Sequence, residues 1–305
     1  MPATGFGASA WPRLAALLAV VFWGLSFVAT KLALRELSPT TLVFVRFALG
    51  AALLLGILAA RHAPLVPPRA EWLPLMAMGL LGVFVHPMLQ ATALTMTTAI
   101  HTGWLIGVIP IWSALLAAIV LGERLGAVRI VGLAVGFAGV ALVVSPDGSL
   151  GGVVRMSGTR GDLLVLLSTV NWAVVTVIGR ATLQRLGPTR ATAAATCFGL
   201  VLLAPLFLAR SGWRELQGLD AAGWAAVLFL GFGCSGLGYL LWYGALEKLE
   251  ASRVAAFLYL EPLVTLAAAA AVLHEPVTGT AVMGGMLVLA GVVLVQRRSG
   301  SALTE

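Results

Sequence analysis

Residues 14–33 read LAALLAVVFWGLSFVATKLA, and residues 161–183 read GDLLVLLSTVNWAVVTVIGRATL. A shift of 149 places Trp23 on Trp172, Lys31 on Arg180 and, just beyond, Pro39 on Pro188. Each stretch is predominantly apolar over about 20 residues, the length of a helix that crosses a hydrocarbon layer of about 30 Å. The pair therefore predicts a membrane helix and also its repetition.

Outward from these two, eight more apolar runs complete a set of ten: 14–33, 40–60, 72–93, 99–121, 127–145, 161–183, 189–209, 223–245, 252–273 and 280–296. Backbone groups in lipid must bond within their own segment, so helices are expected. Strands of a barrel would alternate in polarity over about 10 residues, and these runs are continuous and twice as long. Loops and tails account for the rest of the 305 residues, leaving no room for a soluble domain. Hydrophobic residues make up 60% of the chain and charged residues 10%, with mean hydropathy +1.02. A soluble domain carries about 25% charged residues. Too few remain here to cover a water-facing surface, which excludes a soluble enzyme, and disorder requires low hydrophobicity. The net charge of +7 predicts basic loops at a membrane face and no nucleic-acid partner.

Arg13 precedes the first run as in a signal peptide. The run is longer than a signal core of about 7–15 residues, so a retained helix is expected. Cys197 and Cys234 lie inside runs without metal-ligand spacing, and no structural disulfide is expected.

The repetition continues at a shift of 152. Trp72 falls on Trp224, Gly79 on Gly231, Pro110 on Pro262, Glu123 on Glu275, Gly132 on Gly284 and Gly139 on Gly291. Apolar composition alone yields Ala and Leu matches, but not paired Trp, Pro and Glu at a fixed shift. Residues 1–150 and 151–305 are thus read as two repeats of five spans each. Five is odd, so the second repeat must cross in the opposite sense. That is the inverted-topology arrangement of many secondary transporters, with the substrate site near the midplane between the halves. The side holding both termini would carry twelve of the nineteen Lys and Arg residues and the other side six, with Arg46 inside the second span. This bias predicts cytoplasmic termini; the expected location is a bacterial-type inner membrane.

The residues now resemble a family. Trp23-Gly24-Leu25-Ser26-Phe27 with Lys31, Val45-Arg46-Phe47, and the run Pro110 … Gly122-Glu123-Arg124 … Gly132 … Gly139 resemble an EamA-type transporter. Glu261-Pro262 … Glu275-Pro276 … Gly284 … Gly291 is similar to the second EamA repeat. The resemblance covers essentially the whole chain. It implies the drug/metabolite transporter superfamily, whose ten-helix members export amino acids and other small metabolites. The second repeat departs at Ala195, which stands opposite Arg46, and at His274, which stands opposite Gly122.

Several residues are candidates for transport. Pro110 and Pro262 lack an N–H and free the carbonyls of Ile106 and Leu258, so each is expected to kink its span. The kinks suit bending gates or, alternatively, static packing. Pro39 and Pro188 read as first-turn prolines. Glu261 lies about ten residues into span nine. It is read as a contact for a substrate amine, a proton carrier or cation partner, or else a structural acid on kinked backbone. Arg46 either snorkels to the interface or binds a carboxylate. Glu123 and Glu275, at span ends beside loops, read as capping or loop-packing groups. His86 and Gln90 share a face of span three, and Tyr239 and Tyr243 share one of span eight beside Trp242. With His101, Trp104, Asn171, Trp172 and Trp23 they predict an aromatic cavity with few charges, suited to an amphipathic molecule. Trp11, Trp72, Trp213 and Trp224, near span ends, are expected in interfacial belts. Glycine faces in spans five and ten are expected to pack within one chain, so a monomer is favoured over a dimer.

The leading reading is a secondary exporter of small metabolites, with apolar or aromatic amino acids favoured. The expected partners are a small-molecule substrate, the bilayer and, for an antiporter, protons. No cofactor or metal site is expected. The alternatives are a lipid or drug flippase, a non-transporting membrane scaffold and, last, a membrane-embedded enzyme. The chain has no Gly-x4-Gly-Lys-[Ser/Thr] loop for ATP and no Gly-x-Ser-x-Gly elbow.

Overall fold

The computed structural model describes residues 10–112, 115–116, 126–144, 159–246, 248, 254 and 256–296. Among them every regular element is helical, and there is no strand. The helices are α1 (Ala10–Ala33), α2 (Pro39–Ala60), α3 (Arg69–Leu94), α4 (Ala99–Trp112) and α5 (Ala127–Val144). They continue with α6 (Thr159–Leu186), α7 (Pro188–Ala209), α8 (221–246), α9 (256–272) and α10 (Gly279–Gln296). Six carry stretches long and apolar enough to cross a membrane: α1, α2, α3, α6, α7 and α8. The other four contain shorter apolar helices.

Local chemistry explains the ends. Ser38 caps α2 by accepting from the Thr41 N–H, and Pro39 opens the first turn. Gly187 adopts φ 76° ahead of Pro188, a left-handed conformation that lets α6 stop and α7 start without a loop. Both first-turn prolines stand where the sequence places them.

Two helices widen mid-course. In α3, residues Gly79–Val85 form a π-helical segment, and the His86 N–H bonds the Leu81 carbonyl five residues back. Pro87 follows directly. Its ring would crowd a carbonyl four residues back in a regular helix, and a wider turn relieves that. In α8, Phe229–Leu237 is likewise π-helical, and the Gly238 N–H bonds the Gly233 carbonyl. The two segments overlap under the shift of 152. Around Pro110 and Pro262 the interruption falls ahead of the proline. α4 breaks at Gly107 and Val108, whose N–H groups bond three residues back, to Trp104 and Leu105. α9 begins as the 3-10 segment Ala256–Leu260 and becomes α-helical at Glu261.

The packing partners exchange between the halves. α1 lies against α8 and α9, while α6 lies against α3 and α4. α2 lies against α7 and α8, while α7 lies against α2 and α3. α4 meets α9, and α5 meets α10. The α5–α10 contact is backbone on backbone. A Cβ on Gly139 would stand 2.6 Å from the Gly284 carbonyl oxygen, and one on Gly291 would stand 2.5 Å from the Gly136 nitrogen. The glycine faces of these two helices thus meet within the chain.

One end of the bundle is tied by carboxylates. Glu275 accepts from the Lys31 ammonium at 3.1 Å and from the Ala99 and Ile100 N–H groups at 2.9 and 3.0 Å. It satisfies two orphan donors at the start of α4, the capping role expected of it. Its counterpart Glu123 lies outside the described residues. Asp162 accepts from Thr97 and stands 3.3 Å from His101 Nδ1, joining α6 to the start of α4. Trp11, Trp72, Trp213 and Trp224 are all exposed, as belt residues would be.

Gly139→Val is expected to lower the unfolding temperature sharply in detergent. Overpacking of this kind costs about 1–3 kcal/mol or more when backbone is the obstacle. A thermal-shift assay checks it, with Gly279→Val as the control, because a Cβ at Gly279 meets open space.

Candidate functional site

A cavity of about 170 Å³ lies between the two halves. α1 presents Trp23, Ser26 and Phe27 to it, and α2 presents Arg46 and Phe47. α3 contributes Gly82, His86, Pro87 and Gln90 from its wide turn and the helix beyond. Trp172 comes from α6, Tyr239 and Trp242 from α8, and Leu258, Tyr259, Glu261 and Pro262 from α9. The interrupted stretch of α4, with Ile106, Gly107, Ile109 and Pro110, closes one wall beside Leu289 of α10. Part of the wall is thus built where helices are irregular: the wide turn of α3 and the breaks of α4 and α9 ahead of proline.

The side chains are held by bonds to neighbouring helices. The Trp23 indole N–H donates to the Cys234 carbonyl at 3.3 Å, inside the wide turn of α8. Its ring stands 5.6 Å from Tyr239 and 5.3 Å from Trp242. His86 Nδ1 lies 3.0 Å from the Ser168 carbonyl. A carbonyl only accepts, so Nδ1 carries the hydrogen, and a neutral ring presents Nε2 as an acceptor. The His86 and Trp172 rings lie 4.8 Å apart at 36°. Arg46 Nε donates to Ser235 Oγ at 2.9 Å, and its guanidinium sits 5.3 Å from the Phe47 ring centre. Glu261 is buried at the cavity wall. Among the described residues no hydrogen bond or ion pair reaches its carboxylate. The Thr265 hydroxyl anchors the turn by lying 2.9 Å from both the Glu261 and the Gly24 carbonyls.

The structure brings together Trp23, Arg46, His86, Gln90, Pro110, Trp172, Tyr239, Trp242, Glu261 and Pro262. Three expected members stand elsewhere. His101 faces Asp162 at the start of α4. Trp104 is fully buried in the core, 1% exposed, packed on Gly285 where a Cβ would stand 2.1 Å from its ring. Asn171 turns to the wide turn of α3 and donates to the Leu81 carbonyl at 2.8 Å. In each case another partner, a carboxylate, a core glycine or a carbonyl of the wide turn, takes the side chain. The side chain of Tyr243 lies outside the described residues. The snorkelling reading of Arg46 is overturned, because its side chain turns inward to Ser235. Phe27, Phe47 and Tyr259 were missed. Phe27 follows Trp23 by four residues, so helical spacing could have found it. Ser235 carries no such signal, because its role depends on α8 meeting α2.

Among the described residues, apolar helices around a partly polar cavity define a multi-pass membrane protein. The EamA-like transporter family matches it twice, over residues 10–145 and 159–297, and the chain belongs to that family. Among its relatives is an uncharacterized transporter of Archaeoglobus fulgidus, 35% identical, the match covering 92% of this chain and 97% of that one. A probable terminal-alkyne amino-acid exporter of Streptantibioticus cattleyicolor is 31% identical over 93% of both chains. A probable amino-acid metabolite efflux pump of Escherichia coli is 28% identical over 92% of both. A solved crystal structure, 20% identical, shares the fold with TM-score 0.63 over 93% of this chain and 96% of that one.

Trp172→Ala and His86→Ala are expected to change which ligands compete for the cavity. Asn171→Ala is expected instead to lower stability by about 1 kcal/mol, the net worth of one hydrogen bond. Competition profiles and thermal unfolding of the three variants separate the two effects.

Proposed function

We propose that this protein is a secondary exporter of small metabolites, with apolar or aromatic amino acids as the favoured cargo. The observation that carries the reading is the cavity itself. Its wall carries Trp23, Phe27, Phe47, Trp172, Tyr239, Trp242 and Tyr259 among other residues, holds a cation and a carboxylate, and is formed jointly by helices of both halves. Such a wall suits an amphipathic molecule. Two of the relatives described above carry names that refer to amino-acid export.

In this reading the four shorter apolar helices cross the membrane with the six longer ones, making ten spans in two inverted repeats of five. The exchange of packing partners and the paired wide turns support it. Alternating access follows when the halves trade conformations around a fixed site. The interrupted helices α4 and α9, with Pro110 and Pro262, are the bending elements. Both termini face the cytoplasm, and the protein sits in a bacterial-type inner membrane and works as a monomer. Glu261 and His86 are the titratable groups at the cavity through which proton antiport would run; a facilitator needs neither.

The test is flux of labelled amino acids in proteoliposomes, with and without a pH gradient. Flux of phenylalanine, leucine or tryptophan well above empty vesicles is expected, and none for any of them would sink the exporter reading. Glu261→Gln is expected to cut the rate at least about tenfold, as removal of a group that interacts during transport does when about 1.4 kcal/mol is lost. Glu123→Gln is expected to cost less. Equal, mild effects would make Glu261 structural.

A further inference from the structure

We propose that Arg46 and Glu261 form a two-pole receptor that admits a ligand only when it carries both an anionic and a cationic group, with Ser235 as the residue that positions the anion-binding pole. The cargo is then a free α-amino acid in zwitterionic form, and derivatives blocked at either end are rejected. This rests on the exporter reading and names what selects the cargo.

Both charges line one cavity from different helices, Arg46 on α2 and Glu261 on α9. No ion pair joins them. Among the described residues the pairs are Lys31 with Glu275, His101 with Asp162, and Arg185 with Glu71. Arg46 spends its Nε–H on Ser235 Oγ. Its two terminal nitrogens donate to no described residue, and neither is sealed from the cavity as a buried orphan. A guanidinium held by Nε keeps a fixed plane and offers its remaining N–H groups as a fork, the geometry that matches a carboxylate. The Glu261 carboxylate is equally without a described partner. Its backbone is clamped by Thr265 and packs on α1, where a Cβ at Gly24 would stand 3.0 Å from the Glu261 carbonyl oxygen. The same cavity is lined by Trp23, Ser26 and Phe27 of α1, so a ligand held there has aromatic faces within the wall.

Charge inside a membrane protein is costly unless compensated. A zwitterion compensates both poles and adds no net charge. A ligand with one charged end leaves the other pole unmatched, and a site built around buried polar groups discriminates strongly against a ligand that leaves one unpaired. Ala195, which stands opposite Arg46 in the second half, cannot supply a second anion pole. The receptor is therefore single and directional.

The experiment is competition binding to the purified full chain in detergent, with phenylalanine, leucine and tryptophan as probes. The competitors are each amino acid's amide, which keeps only the cation, and its N-acetyl form, which keeps only the anion. Detergent removes any ambiguity from permeation of the neutral amine. For the wild-type protein both blocked forms are expected to bind at least about tenfold more weakly than the free amino acid, each tenfold corresponding to about 1.4 kcal/mol. Equal binding of all three forms overturns the two-pole receptor while leaving transport, measured separately as flux, untouched. Failure of all three free amino acids to bind overturns the receptor and the amino-acid cargo together. Glu261→Gln is expected to erase the preference over the N-acetyl form and keep that over the amide; Arg46→Gln should do the reverse. Ser235→Ala is expected to narrow discrimination at the carboxylate end alone, with Ser235→Thr restoring it. Loss at both ends alike would make Ser235 merely structural. The wild-type comparison needs no variant to fold.

Discussion

In hydrocarbon every backbone N–H and C=O needs a partner inside the protein, and two irregular stretches of this molecule draw side-chain partners from the opposite half. In the wide turns of α3 and α8 the helix bonds reach five residues back, from the His86 N–H to the Leu81 carbonyl and from the Gly238 N–H to the Gly233 carbonyl. Each receives a side-chain donor from the first helix of the other half. Asn171 on α6 reaches the Leu81 carbonyl, and Trp23 on α1 reaches the Cys234 carbonyl. The same two places carry the cavity, because Trp23 and the neighbour of Asn171, Trp172, line it. Backbone satisfaction and the site are thus one arrangement: irregular backbone is tolerated where it faces protein or a cavity.

The close glycine contacts have a related cause. Lipid tails are as apolar as the side chains, so helices gain by packing tightly and not by leaving water. At the α5–α10 seam glycines on both helices let the backbones touch. The α2–α8 seam works in the same way, with a Cβ on Gly231 only 2.5 Å from Leu49. That second seam brings Ser235 to Arg46. A tight helix contact therefore sets the orientation of the buried guanidinium.

Much of the fold was legible before any coordinates. Apolar run length marked the helices, because the hydrocarbon thickness sets a length that composition reveals. Pro39 and Pro188 marked helix starts, and Glu275 was rightly read as a cap. The wide turns were not legible. Pro87 follows the one in α3, but α8 reaches the same geometry through a glycine-rich stretch with no proline. The cavity was half legible. His86, Trp172, Tyr239, Trp242 and Glu261 were found by their polarity or aromaticity in mid-span. The same criterion selects His101, Trp104 and Asn171, which face other partners in the structure, because residue type cannot say which of several neighbours a side chain will face. Arg46 was divided between two readings that only the position of Ser235, 189 residues away in sequence, could separate.

The sequence by itself determined that this is a helical membrane protein, that the chain repeats and which residues are chemically equipped to meet a ligand. Those properties follow from local composition and spacing, which the bilayer translates directly into helices. The tertiary structure decided which equipped residues share a cavity and which serve as caps or core. That choice depends on contacts between helices far apart in the chain, where the partner that satisfies a polar group is fixed by packing and leaves no trace in the local sequence.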